Sequence, residues 1–137
     1  MTTINGTKGE LVNLINGLFA VQTLKGKRFS LIVSKNISIL QKSLKDVEEA
    51  GKPSEEFMAL ATQVNEIANK NEEGAKEQID ALEKNNQELV DSRRVQMDKV
   101  TKIMEEEITV DLNTITEDIL PEDVTAQQIN KIIKIIK

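Results

Sequence analysis

Apolar residues recur at helical spacing along most of this chain, and over one long stretch they recur as a mirror image. Between Phe29 and Ile108, Ile67 answers Ile79, Val64 answers Leu82, and Phe57 answers Leu89. Further out, Val47 answers Met97, Leu44 answers Val100, and Leu40 answers Met104. The position numbers of each pair add to a nearly constant value. Two antiparallel arms require this, because one residue forward on the first arm is one residue back on the second. The slow drift in the sum is small beside the helical repeat of about 3.6 residues. The centre of the mirror is polar, Asn69-Lys70-Asn71-Glu72-Glu73-Gly74. The pattern predicts an antiparallel helical hairpin with its turn near 71–75.

Ahead of the hairpin, Thr7-Lys8-Gly9-Glu10 has the form of a capping box, in which hydroxyl and carboxylate each take an amide hydrogen at a helix start. Leu11, Leu14, Ile15, Leu18 and Phe19 follow as a one-sided stripe, predicting a helix over about 8–24. Gly17 lowers its intrinsic propensity by roughly 1 kcal/mol relative to Ala, so tertiary packing must hold it. Gly26 supplies a turn, and Phe29, Val33, Ile37, Leu40, Leu44 and Val47 then step at coiled-coil spacing over about 28–50. Pro53 must kink or stop that arm, and Ser54 with Glu55 and Glu56 reads as a fresh helix start. The second arm is expected over about 75–107, with Asn86, Arg93 and Gln96 interrupting its seam and the last two falling near the residues before Pro53.

Ile108-Thr109-Val110-Asp111-Leu112 alternates apolar and polar with β-branched residues, the pattern of a half-buried strand. Its partner is either Thr2-Thr3-Ile4 or Asn113-Thr114-Ile115-Thr116. A second capping box, Thr125-Ala126-Gln127-Gln128, opens a C-terminal helix whose apolar edge is Ile129, Ile132, Ile133 and Ile136, with Ile135 beside it. The expected fold is therefore nearly all-α. It is a long antiparallel helical hairpin or coiled coil with short N- and C-terminal helices and a minimal β element at its base. It is read as one domain over 1–137: an N-terminal helix in 1–26, the hairpin in 27–107, and a strand plus helix in 108–137.

Composition narrows the chemistry. The sequence has neither Cys nor His, which removes thiol nucleophiles, His bases and the usual zinc or haem ligands. Aromatic residues make up 2%, all of them Phe, so stacking platforms for single-stranded nucleic acid are missing. A net charge of −5 disfavours nucleic acid and anionic membrane as partners. No apolar run approaches the roughly 18 residues that span a bilayer, and the first residues lack the pattern of a signal peptide. A cytoplasmic protein is the expectation.

Val33-Ser34-Lys35-Asn36-Ile37, Lys52-Pro53-Ser54-Glu55-Glu56-Phe57 and Glu105-Glu106-Glu107-Ile108-Thr109-Val110-Asp111, set in this order of elements, give the chain its resemblance. It resembles small helical accessory proteins of tailed bacteriophages, catalogued as domains of unknown function. The resemblance implies a phage accessory protein, placed in the host cytoplasm, and carries over no catalytic residue.

Three clusters invite a functional reading. Lys25, Lys27 and Arg28 surround a glycine at a helix start, where free amides and the helix dipole favour an anion such as a nucleotide phosphate. The alternative is pairing of these cations with Glu117 and Asp118. Arg93 and Arg94 read as surface pairs with Glu88 or Asp98. Glu105, Glu106, Glu107 and Asp111 lack the spacing of a cation loop and read as a solvated acidic face, so neither a metal nor a cofactor is expected. The isoleucines 129, 132, 133, 135 and 136 either pack across the hairpin base or form a subunit interface. The reading is a non-enzymatic protein acting through helix-mediated protein–protein interaction, possible targets being host or phage proteins, and itself a homo-oligomer, a dimer first. The alternatives are a nucleotide-binding or nucleotide-sequestering protein and a virion or assembly component.

Overall fold

A computed structural model of the chain describes residues 1–70 and 72–137. Among these residues, seven α-helices and one two-stranded antiparallel sheet account for most of the chain. Strand β1 (Thr2–Thr7) leads into α1 (Lys8–Val21); α2 (Lys27–Ser43), α3 (Lys45–Gly51) and α4 (Glu55–Lys70) follow. Beyond Gly74 come α5 (Ala75–Asn85), α6 (Gln87–Met104), β2 (Glu107–Leu112) and α7 (Ala126–Ile132). Asn71, within the expected turn, lies outside the described residues. Gly74 adopts φ +84°, a left-handed conformation that favours glycine, and starts α5.

The chain divides into two compact units, Met1–Glu48 with Lys102–Lys137, and Glu49–Thr101. The first unit holds the main core. Leu11, Leu14, Ile15, Leu18 and Val21 of α1 meet Phe29, Val33, Ile37 and Leu40 of α2 in one buried cluster with Val110 and Leu112 of β2. The strands pair from Thr2↔Leu112 to Thr7↔Glu107, so β2 takes the N-terminus as its partner. The segment 113–116 serves elsewhere: Ile115 makes a parallel bridge to Ile136, its amide donating to Ile135 O at 2.8 Å.

Both expected capping boxes are formed. Thr7 Oγ1 accepts from the Glu10 amide while Glu10 Oε2 accepts from the Thr7 amide. Thr125 and Gln128 do the same at α7. Gly17 owes its place to α7. A Cβ there would stand 2.8 Å from Lys131 Cβ and 3.0 Å from its carbonyl oxygen, so two helices approach closely at a residue with no side chain. Asn36 is fully buried on α2 and clamps the end of β2. Its Nδ2 donates to Asn113 O at 2.9 Å, and its Oδ1 accepts from the Asn113 amide at 2.7 Å.

The expected long helices are segmented. The first arm changes helix at Leu44, where Ser43 Oγ donates back to Ile39 O at 3.0 Å, a contact that bends helices. It stops at Gly51 and restarts at Glu55, with Ser54 Oγ accepting from the Phe57 amide at 3.1 Å. The second arm breaks at Asn86, whose Nδ2 donates to Leu82 O at 2.8 Å in competition with the helical ladder. It ends at Met104, three residues before the limit of about 107 read from the sequence, and β2 begins at Glu107.

Candidate interaction surfaces

The loop cations are exposed and stand at the start of α2, whose first turn carries no acid. Gly26, between Lys25 and Lys27, is the N-cap of α2, with φ +145° and no side chain to cap it. Arg28 lies 3.9 Å from Asp118, and both side chains are mostly in solvent, where such a pair contributes little. Lys25 and Lys27 make no ion pair among the described residues. Lys25 ends the loop before α2, and Lys27 and Arg28 occupy its first turn, all three exposed.

The C-terminal isoleucines divide. Ile132 and Ile135 are wholly buried in the core of their own chain, where α7 packs on α1. Ile136 and Ile129 are half-buried. Ile133, 52% exposed, is the member left open for an outside contact. The edge thus serves intramolecular packing at Ile132 and Ile135.

The acids are also divided. Glu106 Oε2 accepts from Lys8 Nζ at 2.8 Å, and Asp111 Oδ1 accepts from Thr3 Oγ1 at 2.6 Å. Lys8 bridges Glu106 to Asp46, joining the start of α1, the start of α3 and the approach to β2. The hydrogen bond to Asp46, and then that to Glu106, raises the Lys8 pKa above its ordinary value. The same bond from Lys8 lowers the Asp46 carboxyl below its ordinary range.

The unit Glu49–Thr101 is built differently. Of its described residues, Leu60 and Val100 are the buried hydrophobic ones. Phe57, Val64, Ile67, Ile79, Leu82 and Leu89 are only half-buried, although α4 packs against α5. Polar chemistry supplements this thin core. Arg93 Nη1 donates to Gly51 O at 2.8 Å and to Gln96 Oε1 at 2.9 Å, while Gln96 Nε2 donates to Ala50 O at 2.8 Å and to Lys52 O. The last carbonyls of α3, which have no partner within the helix, are thereby capped by two side chains of α6. The Arg93 guanidinium also lies over the Phe57 ring, 5.4 Å from its centroid. Arg94 approaches Asp91 at 3.9 Å. The surface pairs expected with Glu88 and Asp98 are replaced by these contacts.

A cleft of about 230 Å³ opens on this unit between Phe57, Leu60, Ala61, Val64 and Asn65 of α4, with Glu83 of α5 and Val90 of α6 at its far side. Asn65 and Glu83 are its polar members. Met58 is 55% exposed and Met97 41%. Each lies on the face of its helix that borders the cleft: Met58 is one turn before Ala61, and Met97 two turns beyond Val90. Methionine adapts to irregular apolar partners, so the surroundings suit the side chains of another helix. The sequence signal for this thin packing is the set of polar residues that interrupt the apolar stripe, Asn86, Arg93 and Gln96.

Among the described residues, no helix is long and apolar enough to cross a membrane, and no group of three acids is arranged to hold a metal ion. Compared with protein-family models, curated proteins and solved structures, the chain gives no match.

Proposed function

We propose that this chain is a non-enzymatic interaction protein that presents helix faces of the unit Glu49–Thr101 to protein partners. The observation that carries the reading is the half-open seam of this unit. A segment of this length with two buried hydrophobic residues among those described removes little apolar surface from water, and burial is the main favourable term in folding and association alike. On this proposal α4 and the helices after Gly74 form an antiparallel coiled-coil hairpin, supported by the packing of α4 on α5 and by the mirrored apolar stripe. The setting that goes with the resemblance is a phage accessory protein, whose partner is then a host or phage protein.

The test is affinity capture from bacterial lysate with the full chain as bait, followed by native mass measurement of any complex. The expected result is a defined protein in fixed stoichiometry, displaced by free chain and lost on Phe57→Glu or Val64→Glu. Retention of nothing, or retention unaffected by either substitution, overturns the reading.

A further inference from the structure

We propose that the solvent face of α2 is a docking surface for an acidic helical segment of a partner protein. This surface is separate from the cleft on Glu49–Thr101 and belongs to the well-packed unit. It originates in a run of sequence without acids. From Leu11 to Lys45 there is no Asp or Glu, while Lys25, Lys27, Arg28, Lys35, Lys42 and Lys45 all fall within the run. α2 carries four of these cations and no acid over its 17 residues. Each other α-helix of eleven residues or more carries both signs of charge.

Packing decides where these charges point. Phe29, Val33, Asn36, Ile37 and Leu40 are buried and fix one side of α2 against the core. Lys27, Leu31, Lys35, Ser38 and Lys42 follow at steps of four, four, three and four on the opposite side, and all are exposed. The three lysines therefore share one stripe, about two turns apart and about 22 Å from end to end. Lys27, Lys35 and Lys42 make no ion pair among the described residues, and Arg28 at the border of the stripe approaches Asp118 only at 3.9 Å. With no acid on the helix to offset them, these charges set a positive potential over the whole face. Leu31, 55% exposed, lies in the stripe midway between Lys27 and Lys35.

The chemistry of the stripe selects its occupant. An acidic helix with a carboxylate about every second turn sets one acid against each lysine, and an apolar side chain between the acids covers Leu31. Charge complementarity of this kind gives register and a fast encounter. The apolar contact supplies the affinity that exposed ion pairs do not. A phosphate backbone has no apolar counterpart for Leu31, and a net charge of −5 with neither Tyr nor Trp opposes nucleic acid. An anionic membrane is disfavoured as well. Basic surface helices bind bilayers by immersing an apolar face, and the apolar face of α2 is already buried in the core of its own chain.

The test is binding of the full chain to a labelled, stapled helical peptide in which Glu recurs every seventh residue with Leu midway between, read by fluorescence anisotropy. The expected result is saturable binding that weakens as salt rises from about 0.05 to about 0.3 M. Lys35→Glu combined with Lys42→Glu is expected to remove it, and Leu31→Ser to weaken it about tenfold. The thermal unfolding midpoint should stay level in both variants, because all three positions are exposed. The same peptide with Lys in place of Glu should not bind. Phe57→Glu, on the other unit, should leave binding of the acidic peptide unchanged. No binding of the acidic peptide, equal binding of its lysine counterpart, or binding that survives the double charge reversal overturns the proposal. So does tighter binding of a short DNA duplex or of phosphatidylserine vesicles, and so does loss of peptide binding on Phe57→Glu. The reading of Glu49–Thr101 is judged separately by capture through Phe57 and Val64, and either surface stands without the other.

Discussion

Gly17 is the residue at which intrinsic propensity and packing disagree most sharply. In the middle of α1, glycine costs about 1 kcal/mol relative to alanine, so Gly17→Ala in an isolated helix stabilises it. In the folded protein the added Cβ meets Lys131 Cβ at 2.8 Å and Ile132 Cγ2 at 3.2 Å. Backbone and Cβ atoms cannot yield as a flexible side-chain tip does, and overpacking costs about 1–3 kcal/mol. Gly17→Ala is therefore expected to destabilise, lowering the urea midpoint. An unchanged or higher midpoint would show that α7 does not press on α1. The Lys8–Asp46 contact makes a second residue-scale prediction, through pH. Asp46 titrates below its ordinary value of 3.8 because the ammonium of Lys8 donates to it, so its contribution is present above that value and lost as pH falls through the folded pKa. Lys8, raised above 10.5, contributes below that value and loses its contribution as pH rises through its folded pKa. The stability gap between the unaltered chain and Asp46→Asn should stay level through neutral pH and close on acidification below about 3.8. A gap independent of acid would separate the pair from stability.

At the scale of elements, what could be read from the sequence was whatever depends on near neighbours. The two capping boxes, the Ser54 cap and the one-sided stripes of α1 and α2 involve residues within a turn or two, and all are formed except at Phe19, which ends the α1 stripe 36% exposed. The β2 strand was legible from alternation, but its partner was one of two, because strand pairing is set by distant chain. The same distance hid the clamp between Asn36 and Asn113, the bridge between Ile115 and Ile136, and the reason for Gly17. Helix breaks at Leu44 and Asn86 escaped because periodicity continues across them; the Ser43 and Asn86 side-chain bonds to the preceding turn are what interrupt the ladder. The candidate surface was partly visible. The mirror set Arg93 and Gln96 near the end of α3, but their capping of its carbonyls depends on rotamers no spacing reveals. This cap gives the element-scale prediction. Arg93→Ala removes a hydrogen bond to Gly51 O and a cation stacked on Phe57, and should cost about 1–2 kcal/mol. Arg93→Lys should recover only part of that, since a point charge cannot supply the planar fork. Equal stability of Lys and Arg at this position would reduce the contact to simple charge.

Across the molecule, burial is unevenly shared, and stability should follow it. Sixteen of the eighteen buried hydrophobic residues described belong to Met1–Glu48 with Lys102–Lys137, and two to Glu49–Thr101. Opening free energies within one protein range from near zero to the global value, with thinly packed segments at the low end. Amide exchange read by mass spectrometry should therefore show α4 and α5 exchanging well before α1 and α2, and denaturant should release the two sets in separate steps. The proposed protein partner sharpens this prediction, because a partner that binds only the folded form stabilises it by mass action. Adding a captured partner in excess should slow exchange in α4 and leave α1 unchanged, and Phe57→Glu should abolish that protection while leaving α1 as it was. Uniform protection along the chain would place the cooperative core elsewhere than the buried residues do. Protection in α4 that ignores the partner would mean that this helix is stabilised from within its own chain, and its half-buried apolar residues would then have no bearing on what the protein binds.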